Sequence, residues 1–158
     1  MKNMIAALGL LAVAGAAQAG GAMQAVNEQI QVAAGDRKVL VTLTVTNGGK
    51  APLFVPKALY QSEQLFGRVF EITEQGGGQI DYIGPMVKRG PHTKDDYLQV
   101  LAGAKHSHSI DITRSYAFKP GTHTYRLSYG GNVLRSLAKL DAPVAHAVPE
   151  VTFTYTAK

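Results

Sequence analysis

Six ionisable side chains crowd one stretch between two tyrosines, Tyr82 and Tyr97: Lys88, Arg89, His92, Lys94, Asp95 and Asp96. Two adjacent carboxylates invite an acid–base reading, with one holding a proton while the other takes one. Their adjacency argues against it. Neighbours on a strand point to opposite faces, so Asp95 and Asp96 are poorly placed to work on one substrate atom. In a loop they are expected to cap nearby N–H groups or to pair with Lys88, Arg89 or Lys94, and exposed pairs of that kind contribute ~0–1 kcal/mol. Gly84 and Gly90 permit turns, while Pro85 and Pro91 stiffen them. Lys88, Arg89, His92, Lys94 and Asp95 are therefore candidates for a partner-binding surface, because contact residues concentrate in loops held on a rigid frame.

A second constellation could hold a metal ion. His106 and His108 lie two apart on an expected strand, so both imidazoles share one face and could reach one ion. His123, on the strand after the next turn, would complete a three-histidine set. The competing expectation makes all three polar, solvent-facing strand residues. Two-histidine spacing is common, and no neighbour is marked to orient the rings.

Other chemistries lack their residues. The chain has no His-Glu-x-x-His and no Gly-x-Ser-x-Gly, and Gly76-Gly77-Gly78 lacks the Lys-Ser/Thr of a phosphate-binding loop. There is no cysteine, which removes thiol catalysis, thiolate metal sites and disulfides. No cofactor and no catalysis are expected.

The elements that must position these residues have a period of two. In "KVLVTLTVTN", Val39, Val41, Leu43 and Val45 alternate with Leu40, Thr42, Thr44 and Thr46, and Asn47-Gly48-Gly49 turns the chain. Ile30 and Val32 mark an earlier strand closed by Gly35-Asp36. "PLFVPKALY", broken by Pro52 and Pro56, reads as an edge strand. "GRVFEITEQ" and "QIDYIG" read as a hairpin about the triple glycine. Leu98 and Val100, then Ile110 and Ile112, mark two strands turned at Ala102-Gly103. Tyr125, Leu127 and Tyr129 follow a Pro-Gly turn, and Val151, Phe153 and Tyr155 close the chain. "NVLRSLAKL", Asn132 to Leu140, has a helical look but reads equally as a loop or strand edge. "DAPVAHAVPE" reads as a connector. Seven to nine short strands predict an all-β fold, an antiparallel β-sandwich in which the Tyr125 strand is like the sixth strand of the immunoglobulin type.

Residues 1–19 read as a secretory signal peptide: Lys2, an apolar run from Met4 to Ala17, and the cleavage site Ala17-Gln18-Ala19. The run is short of the ~20 residues that a membrane span needs. Residues 20–158 then form a single exported domain with no membrane span, periplasmic or secreted. The formal net charge is +5. The basic residues are scattered and not interleaved with aromatics, so no nucleic-acid partner is expected; an acidic protein partner is compatible.

Between about Val39 and Tyr129 the chain resembles the N-terminal pro-domain of deuterolysin-like (aspzincin) and peptidyl-Lys metallopeptidases. The matching features are Tyr82-x-Gly84, Val87-Lys88-Arg89, Pro91, Asp96-Tyr97, Ala102-Gly103, Ile110-Asp111-Ile112, Tyr116-x-Phe118 and Gly121-Thr122-x-x-Tyr125. "VPKALYQSEQLFGRVFEIT" is similar to the part that precedes them. The resemblance implies an immunoglobulin-like β-sandwich that restrains a zinc protease. The chain ends where that protease would begin, so peptidase activity and zinc do not carry over. The leading expectation is an exported, non-catalytic, protein-binding β-sandwich whose partner is a secreted zinc metallopeptidase that it inhibits. The alternatives are a structural or adhesive envelope module and a periplasmic metal-binding domain using His106, His108 and His123.

Overall fold

The structure, a computed structural model, describes residues 26–158. The signal-peptide expectation lies outside the described residues. Ten strands follow in order: β1 (Val26–Gly35), β2 (Lys38–Asn47), β3 (Leu53–Pro56), β4 (Glu71–Glu74), β5 (Tyr97–Val100), β6 (Lys105–Asp111), β7 (Gly121–Ser128), β8 (Gly130–Val133), β9 (Val144–Ala147) and β10 (Val151–Ala157). One helical turn, α1 (Lys57–Tyr60), follows β3. Every pairing between these strands is antiparallel, so the described chain is all-β as its two-residue period predicts.

The first sheet has the order β1-β2-β6. Val39, Val41, Leu43 and Val45 on β2 are fully buried, each burial contributing about 1.5–3 kcal/mol. The intervening Thr42 and Thr44 face outward, where their hydroxyls meet those of Ser109 and Ser107 on β6 at 2.7 Å. Asp36 (φ 48°) and Arg37 (φ 64°) connect β1 to β2 in a two-residue turn with both residues left-handed. That geometry suits the twist of a hairpin and normally selects Asn-Gly, so a side chain as large as Arg37 is held there at a cost.

The second sheet has the order β10-β7-β4. Phe153 faces Tyr125 across β10 and β7, and the edge of Phe118 packs on Tyr125 and Tyr155 at 5.1 and 5.2 Å between ring centres. The inward residues of both sheets enter one hydrophobic core, the arrangement of a sandwich. Two buried hydroxyls pin loops to this core. Tyr116 donates to the Phe70 carbonyl at 2.7 Å and accepts from the Phe70 N–H at 3.0 Å; Tyr125 accepts from the Lys119 N–H at 3.1 Å.

Two further pairs, β3–β5 and β8–β9, bring the strands above the expected seven to nine. Phe54 and Leu134 exchange backbone hydrogen bonds at 2.9 Å and link the two pairs. The helical look of Asn132–Leu140 is overridden here. Val133 and Leu134 are buried and their backbone is spent on strand partners, whereas a helix of nine residues would face an unfavourable nucleation. The expected connector "DAPVAHAVPE" contains β9, so it is a strand as well. Around the triple glycine the hairpin forms, but its second arm is a single bridge, Thr73 to Gln79.

Candidate functional site

The loop from Ile83 to Thr93 is tied down at both ends and open between them. At its start, the Ile83 and Gly84 N–H groups donate to the Ser115 carbonyl at 2.8 and 3.2 Å. Tyr82 packs its ring on Tyr116, centres 5.4 Å apart, and its hydroxyl donates to the Pro85 carbonyl at 2.7 Å. A Cβ on Gly84 would lie 2.7 Å from that hydroxyl, so this turn requires glycine. The Val87 N–H donates to the Phe66 carbonyl at 3.2 Å. At the far end, the Thr93 N–H donates to Asp96 Oδ2 at 2.7 Å, closing a capping box over the short turn Lys94–Asp96. That hydrogen bond holds the Asp96 carboxyl below the usual aspartate range.

Between these ties the loop presents Ile83, Met86 and Val87 to solvent, 62 %, 79 % and 51 % exposed. They stand beside the exposed cations Lys88 and Arg89, with Arg89 over the Phe66 ring at 5.9 Å. His92 is exposed and leans on Tyr97, while Lys94 and Asp95 are exposed on the short turn. The five charged and histidine candidates thus share one surface. Its apolar members, Ile83, Met86 and Val87, were missed by a search for ionisable groups. Their signal was available as three large apolar residues in a segment without strand periodicity.

The three histidines are not gathered. His106 and His108 do share a face of β6, but it is the inner face, opposite Val45 and Leu43. They are half-buried rather than solvent-facing, because the segment around α1 covers them. Each Nε2–H donates to a carbonyl there, His106 to Tyr60 at 2.9 Å and His108 to Ser62 at 2.7 Å. His123 sits on β7 in the other sheet. Its two ring nitrogens face Glu74 Oε1 at 2.6 Å and the Pro120 carbonyl at 2.8 Å. Among the described residues, no group of three or more His, Asp or Glu side chains is arranged to hold a metal ion.

A buried carboxylate went unnoticed in the sequence. Glu28, on β1, is 2 % exposed and faces inward. The Tyr60 hydroxyl donates to Oε1, and His146 Nε2–H on β9 donates to Oε2 at 2.5 Å. Burial pushes the Glu28 carboxyl above the usual glutamate range, against the pull of Tyr60 and His146. Burial likewise raises the Tyr60 hydroxyl, with the Glu28 charge adding to the effect. An isolated Glu in an alternating strand carries no sign that its partners arrive 32 and 118 positions later.

No family model matches this chain, and no curated protein matches it. Eight chains among solved structures do. One is the X-ray structure of Northeast Structural Genomics Consortium target SoR45, at 10 % identity and a TM-score of 0.44, covering 81 % of this chain and 84 % of that one. An alignment that loose fixes neither strand topology nor function. No helix among the described residues is long and apolar enough to cross a membrane.

Proposed function

We propose that the protein is an exported, non-catalytic binding module of immunoglobulin-like design that grips another protein with the loop Ile83–Thr93. The observation that carries this reading is the exposure of Ile83, Met86 and Val87 beside Lys88 and Arg89 on a loop tied at both ends. Apolar side chains on a pre-formed loop bind with little ordering cost, and neighbouring cations steer the partner and fix its register. The immunoglobulin-like part is supported by sheet orders β1-β2-β6 and β10-β7-β4, which follow the A-B-E and G-F-C orders of that sandwich. It is also supported by the Tyr125 hydroxyl reaching back to the Lys119 N–H, as a tyrosine corner does.

The resemblance to metallopeptidase pro-domains supplies the partner class to try first, a secreted zinc peptidase restrained by this domain. The test is capture from the producing cell's exported fractions by the chain from Gly20 onward, with a peptidase assay on what is captured. Recovery of a zinc peptidase whose activity falls at stoichiometric addition supports the inhibitor. Self-association alone, without effect on any peptidase, supports an envelope module instead. A Met86→Ser/Val87→Ser variant that captures as well as the parent would refute the loop.

A further inference from the structure

The exposed loop is one wall of a longer trough. Three open grooves surround the segment Lys57–Phe66 and share residues with one another. The largest, about 850 Å³, runs between that segment and the β1–β2 turn, and Phe66 and Pro85 line it. A second, about 460 Å³, runs from Phe66 under Val87, Arg89 and His92. A third, about 280 Å³, lies between Arg89 and the helical turn at Lys57. Phe66 belongs to the first and second, Arg89 to the second and third, and Ser62 to the third and first.

The charges along this trough are unequal. Arg37, Lys38, Lys57, Lys88, Arg89 and Arg114 line it. Against them stand the carboxylates of Glu63, Asp96 and Asp111. Two of these are already engaged: Asp96 with the Thr93 N–H at 2.7 Å, and Asp111 with the Thr113 hydroxyl and N–H at 2.5 and 3.0 Å. Among the described residues, the ion pairs lie elsewhere, on Arg68, Lys119, His123, Arg126 and His146. Arg37 reaches the trough from a left-handed backbone position, φ 64°, that a side chain of its size adopts only at a cost.

We infer that the trough receives an extended acidic segment of the partner protein. This rests on the binding role proposed for the loop and adds the chemistry of what is bound. An extended chain suits a surface made of linked shallow grooves, and carboxylates would pair with a line of cations that have few partners of their own. Phe66, Pro85 and Val87 in the lining favour a peptide with apolar side chains between its acids over a uniformly charged polysaccharide.

The test is fluorescence anisotropy with a labelled ten-residue peptide of alternating Asp and Leu, against the purified chain at two ionic strengths. Binding is expected, weakening as salt rises, because charge pairs at an open surface are screened. Arg37→Ala/Arg114→Ala should bind the peptide about tenfold more weakly or worse, a loss of two charge-assisted contacts. Lys139→Ala, at a residue that lines none of the three grooves, should bind as the parent does, and circular dichroism should show all variants folded. Equal weakening by Lys139→Ala, an absence of peptide binding, or a sulfated polysaccharide binding where the peptide does not would each overturn the inference. If whole-partner capture survives Arg37→Ala/Arg114→Ala but is lost in Met86→Ser/Val87→Ser, the trough fails and the loop stands. If neither variant affects capture, both fail.

Discussion

His146 and Glu28 are 118 positions apart in the chain, yet His146 Nε2 lies 2.5 Å from Glu28 Oε2 inside the fold. The contact exists because Gly131 faces His146 across β8 and β9 and has no side chain to fill the space. A Cβ on Gly131 would overlap His146 Nε2 and come 2.5 Å from Glu28 Oε2.

Gly131→Ala should therefore destabilise the protein by about 1–3 kcal/mol, the usual cost of overpacking a closed site. Gly130→Ala is the matched control, since a Cβ there meets nothing within 4 Å. Urea denaturation of the two variants checks this. Equal midpoints would mean that the His146–Glu28 contact moves aside without penalty.

The Glu28 carboxyl also sets a pH signature. Its folded pKa is raised above the ordinary glutamate value of 4.5, chiefly by burial. A raised carboxyl contributes stability that is fully present below the unfolded value and is lost as pH rises through the folded value. Glu28→Gln removes that loss while retaining an acceptor for Tyr60. The stability of Glu28→Gln relative to the parent should rise from pH 4.5 upward and then level off. Thermal unfolding across that range measures it. A relative stability that falls with pH would show that His146 and Tyr60 outweigh burial and favour the carboxylate.

Tyr116→Phe tests the tie between the Tyr116 loop and the residue before β4. The substitution strands both the Phe70 carbonyl and the Phe70 N–H in the core. The expected loss is about 1–3 kcal/mol for buried groups left unpaired. The urea midpoint should fall with the denaturant slope unchanged.

Gly84→Ala separates loop shape from loop composition. It keeps Ile83, Met86, Val87, Lys88 and Arg89 but crowds the Tyr82 hydroxyl that holds Pro85. Partner affinity should fall about tenfold, near 1.4 kcal/mol, because the pre-formed loop is lost. Titration against the captured partner reads this, and unchanged affinity would mean that the loop is shaped by the partner on binding.

Much of the fold was written locally. The alternation of Val39, Val41, Leu43 and Val45 with threonines can bury one face only as a strand, and Tyr125, Phe153 and Tyr155 repeat that logic. Charges in an interrupted, proline-bounded segment can only be a surface, so Lys88, Arg89 and His92 were readable as such. Other features were decided by what lies across the core. Leu134 is bridged to β3 because Phe54 offered backbone partners at 2.9 Å, which a three-residue leucine spacing cannot announce. His106 and His108 share a face by periodicity alone, but which face is buried depends on the chain that covers it, here the carbonyls of Tyr60 and Ser62. Glu28 is the clearest case. A carboxylate costs several kcal/mol to bury unless donors surround it, and its donors come from α1 and β9, which only the closed sandwich brings together.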